Sequence, residues 1–177
     1  VRFAARKDVP DAVRAEALKA LAEWEKPSGR DRILHVWRPI PTRDASAARE
    51  GLSAAVDALL EESSDLVKEA AAQAAGALEI KAAGTKISQL ALKGKSPGVR
   101  IAALKALSAL KDDRLAVAVM AAVEDKDPNL RKEGTKLLSQ LKAPNVVALL
   151  EKLATEEGAV GVRQNAVESL GRMAGAD

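Results

Sequence analysis

Apolar positions recur along this chain at the spacing of one helix face. From Val99 onward, Val99, Ala102, Ala103, Ala106 and Leu107 fall at i, i+3, i+4, i+7 and i+8, the pattern of a helix that buries one stripe. The same phrase returns as VRAEALKAL from Val13, LVKEAAAQAAGAL from Leu66, VRIAALKAL from Val99, LRKEGTKLL from Leu130 and VRQNAVESL from Val162. Aligned on the aliphatic-basic pair, the starts are 13, 67, 99, 130 and 162, so the last four lie 32, 31 and 32 residues apart. A period of this length holds one helical hairpin per repeat. Stacked hairpins bury a strip of core that none could bury alone. The predicted fold is all-α: a right-handed α-solenoid of about five hairpins in a single domain over 1–177, with a long ordered loop after the first.

Local signals set the helix starts. Asp11 and Asp65 stand two residues before the aliphatic position, where a short acceptor side chain can cap free backbone N–H groups. Ser96-Pro97 and Asp127-Pro128 add proline at the first helical position, where its missing N–H is no loss. The first helices of the hairpins are expected at Ala45 to Glu62, Ile80 to Lys93, Leu115 to Val123 and Val146 to Thr155. Residues 1–7 read as the tail of a helix, so 1–24 is an incomplete first repeat. An insertion at 25–44 and repeats at 45–79, 80–110, 111–142 and 143–174 follow. The chain opens at Val1 and stops at MAGAD just after a repeat helix, which reads as a piece of something longer, with exposed apolar end faces.

Composition narrows the chemistry. Hydrophobic residues make up 47% of the 177 but aromatics only 2%, so the core must be built from Ala, Leu and Val, which suits closely packed helices. Twenty-eight basic and 25 acidic residues leave a formal charge of +3, too little to specify nucleic acid or an anionic membrane. The absence of cysteine removes disulfides, thiolate metal sites and a thiol nucleophile. No apolar run is long enough to span a bilayer.

The insertion EKPSGRDRILHVWRPIPTRD breaks the repeat. It holds three of the seven prolines, the only His, Trp37 and four arginines, and Trp24 stands at its edge. Two readings follow. An arginine beside tryptophan can stack on it or offer a planar fork to carboxylate or phosphate, which makes Arg30, Arg32, His35, Trp37, Arg38 and Arg43 candidates for contacting a partner. Alternatively, Trp24 and Trp37 pack the loop onto the first two hairpins while Asp31 and Asp44 pair its arginines internally, since a long loop needs anchors to be ordered.

A polar or acidic turn residue, then Val-Arg, then an Ala-Leu face resembles HEAT repeats, especially the short bacterial type. That resemblance implies a structural ladder between successive repeats, built from the turn acids Asp11, Asp65 and Asp127 and the helix cations Arg14, Lys68, Arg100, Arg131 and Arg163. Ser96 and Gly158 near the turns of the third and fifth units would interrupt it. The stretch from Trp24 to the Ala-rich helix further resembles the HEAT region of planctomycete-type multidomain proteins that join a sugar-dehydrogenase-like β-propeller to a c-type haem domain. This second resemblance implies a spacer in an extracytoplasmic redox protein. The chain itself carries no Cys-x-x-Cys-His and no nicotinamide fingerprint.

Catalytic motifs fail on inspection. Glu61-Glu62, Glu156-Glu157 and Asp112-Asp113 are adjacent, so on a helix they point apart and read as solvated surface. The string GKS at Gly94 to Ser96 lacks the earlier glycine of a phosphate loop, that place being Gln89. His35 has no evident nucleophile beside it. The expectation is a non-catalytic module, with no cofactor, metal or small-molecule ligand, that holds a protein or neighbouring domains of the same chain. Two alternatives compete. A nucleic-acid-binding solenoid would use Arg14, Lys19, Lys68, Arg100, Lys105, Arg131, Lys132, Lys136 and Arg163, although Glu16, Glu69, Glu133 and Glu168 share those helices. An accessory domain would use Trp37 and Arg38 to complete a neighbouring enzyme's site.

Overall fold

The computed structural model describes residues 1–31, 34–141 and 143–175. Among them stand α1 (Asp11–Ala22), α2 (Ser46–Ser53), α3 (Val56–Leu60), α4 (Asp65–Ala77), a 3-10 turn at Lys81–Ala83, α5 (Gly84–Lys93), α6 (Pro97–Leu110), α7 (Leu115–Val123), α8 (Pro128–Leu138), α9 (Val146–Glu156) and α10 (Val160–Ala174). The described residues contain no strand, only an isolated antiparallel bridge between Arg30 and Trp37. The chain is an all-α solenoid. Helices α1, α4, α6, α8 and α10 pack each on the next as one layer, and α3, α5 and α7 form the start of a second.

The core follows the predicted stripe. Val99, Ala102, Ala103, Ala106 and Leu107 are all buried, and Leu104 and Leu110 join them because α6 is covered by α4, α5, α7 and α8. Helix α4 buries Ala70, Ala71, Ala72, Ala74 and Ala75. These small side chains let α4 and α6 approach until a Cβ added at Gly76 would lie 3.0 Å from the Ala106 Cα.

Several elements differ from their sequence expectation. Residues 1–6 form turns rather than helix, closed by Ala5 N–H to the Val1 carbonyl and Arg6 N–H to the Phe3 carbonyl. Only Ala4 is buried there, so too little apolar surface exists to hold a helix. The helix expected over Ala45 to Glu62 is two: Ala55 N–H reaches back to the Leu52 carbonyl, and this tight last turn redirects the chain so that α2 buries Ala48 and Leu52 and α3 buries Val56, Leu59 and Leu60. The third unit starts with the 3-10 turn before α5. Asp11 and Asp65 occupy the first helical position rather than the cap, which falls on Pro10 and Ser64. Asp127 does cap, its Oδ1 accepting from the N–H groups of Asn129 at 2.9 Å and Leu130 at 3.0 Å.

The links from α4 and α6 to the following helices share a device. Glu79 and Lys111 have φ of 58° and 52°, the left-handed region, although neither is glycine. Beyond each, an N–H folds back to close the helix: Ile80 to the Ala75 carbonyl and Asp112 to the Leu107 carbonyl, the bond that ends a helix in a Schellman turn.

Candidate functional site

Two features carry chemistry: a line of charged contacts between repeats, and the insertion. The charged line begins with Arg14, which is 2% exposed. It donates to the Ala4 carbonyl at 2.8 Å, to Asp11 at 3.1 Å in its own helix and to Glu62 of the next unit at 2.7 Å. Arg100 donates to the Ala91 carbonyl at 3.0 Å and crosses to Asp125 at 2.6 Å. Arg131 holds Glu157 with two bonds, at 3.1 and 2.8 Å, and the Asp125 and Lys126 carbonyls of its own turn. Arg163, one repeat further, donates to the carbonyls of Glu157 and Gly158 at 2.7 and 3.0 Å.

The bridging acids are therefore Glu62, Asp125 and Glu157. All three stand five residues before the aliphatic anchors Val67, Leu130 and Val162. This corrects the expected ladder, in which Asp11, Asp65 and Asp127 were the bridging acids. Asp11 and Asp65 sit three residues ahead of Arg14 and Lys68 on the same helix, and pair with them at 3.1 and 2.9 Å. Asp127 spends its carboxylate on the cap. The interruption also moves. The fifth unit keeps its contact through Glu157, whereas the third has Gly94 at the fifth position before Val99, leaving Lys68 with Asp65. At that joint the charged tie lies instead between the outer helices, from Lys86 to Glu61 at 2.6 Å and to Asp57 at 3.6 Å.

Two of these carboxyls titrate low. For Glu157 the Arg131 guanidinium is the chief cause, helped by the Ala159 N–H. For Asp125 burial is the largest single influence and pushes upward, but the Asp127 N–H and Arg100 together outweigh it and the net shift is downward. The adjacent acid pairs, read as solvated surface, are divided in use: Glu62 serves Arg14 and Glu61 serves Lys86, while Asp112 binds Arg114 at 2.7 Å.

Within the insertion, residues 29–31 and 36–38 face each other as a small antiparallel hairpin. Asp31 N–H donates to the Val36 carbonyl at 2.9 Å and Arg38 N–H to the Gly29 carbonyl at 2.6 Å, while His35 sits at φ 55° in the turn and Asp31 Oδ1 accepts from Leu34 N–H at 2.8 Å. Trp37 lies against Gly29, whose added Cβ would meet the ring at 2.9 Å, yet the indole remains 70% exposed. Trp24 and Asp44 anchor the insertion, Asp44 without pairing one of its arginines among the described residues. Trp24 Nε1 donates to the Asp44 carbonyl at 3.0 Å, and the Asp44 carboxylate takes the N–H and hydroxyl of Ser46. Arg43 lies over the Trp24 ring, 4.8 Å from its centroid. A contact that sequence reading missed is Arg49, which bonds Glu25 at 2.7 Å and the Leu78 carbonyl at 3.2 Å, tying the start of the insertion to the second unit. Arg30, Arg38 and Arg43 line an open cleft of about 500 Å³ with Pro27, Ile40 and Ala20 of α1. Arg32 lies outside the described residues.

The structure thus holds repeated helical hairpins, three of whose four joints carry an arginine-acid contact at the same register. Residues 84–171 match the family model of HEAT repeats. The match supports HEAT-repeat identity for this stretch, and the same hairpin geometry continues back through α3 and α4. HEAT repeats commonly serve as scaffolds for protein interaction and are typically non-catalytic. No curated protein matches the chain. Among the described residues no helix is long and apolar enough to cross a membrane, and no three His, Cys, Asp or Glu side chains are grouped to hold a metal ion.

Proposed function

We propose that this chain is a non-catalytic scaffold that holds a protein partner, or neighbouring segments of its own polypeptide, with the 25–44 insertion as a contact surface. The observation that carries this reading is the continuity of the array. One core runs from α1 to α10, and partly buried ion pairs lock the edges of three of its joints. Such an array presents surfaces at fixed separations, which is what holding a partner demands. The basic residues of the packed helices support nucleic-acid binding poorly, because they are largely spent. Arg14, Arg100 and Arg131 bind acids of the next unit, Lys68 binds Asp65, and Lys105 faces Glu133 at 3.7 Å. Membership of a multidomain redox protein rests on the resemblance of the Trp24 to Asp44 stretch alone and has no support from the comparisons.

Chemical cross-linking of the native protein in its source, mapped by mass spectrometry, tests the reading. Links from the insertion or the helix lysines to one recurrent protein, or to other segments of the same polypeptide, are expected. Adducts with nucleic acid alone, or turnover of a substrate by the isolated chain, would overturn it.

A further inference from the structure

We propose that the cleft between α1 and the insertion recognises an acidic, extended protein segment, by pairing its carboxylates with Arg30 and Arg38 and seating an apolar side chain on Ile40. The proposal rests on the insertion being a contact surface and names the chemistry of what it contacts.

Three observations carry it. Arg30 and Arg38 are exposed and enter no ion pair among the described residues, unlike Arg14, Arg100 and Arg131. Their backbones are joined, since Gly29-Arg30 faces Trp37-Arg38 through the bridge and the Arg38 N–H bond to Gly29. Two guanidinium forks thus spring from one paired segment, which lowers the ordering cost of binding. A third cation, Arg43, is fixed over Trp24 in the same cleft, where it adds attraction without needing to move.

The lining also selects the class of partner. Glu23 and Asp31 also line the cleft but have partners of their own, so the selecting feature is the apolar surface beside the arginines. Ile40 is 50% exposed, and Leu34, Val36 and Trp37 are exposed on the same hairpin. Apolar surface next to arginine forks fits a peptide that mixes acidic and apolar residues, with the forks taking carboxylates two bonds at a time.

The test is a fluorescence anisotropy titration of the whole chain against a labelled peptide of alternating glutamate and leucine. Saturable binding is expected, weakened about tenfold or more by Arg30→Glu or by Arg38→Glu, the scale of losing one charged hydrogen-bond partner. It should be lost when glutamine replaces glutamate in the peptide. Both arginines are exposed and outside the core, so an unchanged melting temperature verifies that the variants remain folded. Equal binding of the glutamine peptide, full affinity of both variants, or displacement of the peptide by equimolar inorganic phosphate or duplex DNA would each overturn the proposal. If the peptide fails while native cross-links still join the helices to a protein, the acidic-segment proposal falls and the scaffold stands. If the cross-links also find no protein, both fall.

Discussion

Removing the carboxylate of Glu62 would strand a guanidinium that is almost wholly out of water. Arg14 keeps the Ala4 carbonyl and Asp11, so Glu62→Gln is expected to cost about 1–3 kcal/mol, the range for a buried charged group losing one partner. A lowered urea midpoint with unchanged slope would register it. By the same measurement Glu61→Gln, whose carboxylate is 68% exposed, should cost under about 1 kcal/mol. Acid acts on the same line of contacts. Asp125 and Glu157 have native pKa values below the ordinary carboxylate value, which is about 4. Their stabilisation is therefore complete above about pH 4 and is lost as pH falls through the lower native values. The urea midpoint should fall below about pH 4 in the wild type, and more shallowly in Asp125→Asn with Glu157→Gln. An equal fall in both would remove these two residues from the cause. None of the bridging acids was identified from the sequence, although the signal was present. An acid recurs five residues before the aliphatic anchor at Glu62, Asp125 and Glu157, but adjacent acids such as Glu61-Glu62 look like ordinary surface until a partner from another repeat is seen.

Helix type and extent were legible wherever the apolar stripe and the start signal agreed. Helix α7 spans Leu115–Val123 as its apolar run predicts, and Pro97 and Pro128 occupy the first helical position. What stayed hidden were events without a residue signature. The break between α2 and α3 falls in Ala54-Ala55, where nothing local forbids a helix and packing decides. The left-handed turns at Glu79 and Lys111 were hidden for the same reason, since a charged residue stands where glycine would have announced them. Lys111→Gly should consequently stabilise the protein by about 1 kcal/mol, the cost of left-handed backbone for a residue with a Cβ, read as a higher melting temperature. The α4–α6 contact predicts the opposite sign. With the Ala106 backbone already 3.0 Å from a Cβ placed at Gly76, Gly76→Leu must push these helices apart and should cost about 1–3 kcal/mol by urea denaturation.

Over the whole molecule, the repeat register gave away the solenoid, while the insertion did not disclose its shape. Its Trp, Arg and Pro content marked it as unusual, yet the division of labour between Trp24, which anchors, and Trp37, which stays in water, depends on which indole finds a carbonyl acceptor. The joints themselves are not alike. Three are pinned at their edges by partly buried ion pairs, whereas the joint between the second and third units has alanine faces and, outside them, the tie from Lys86 to the exposed Glu61. Salt screens an exposed pair far more than a sheltered one. Raising ionic strength thus weakens the charged tie at one seam and spares the other three, leaving the close alanine packing of α4 on α6 to carry that seam by itself.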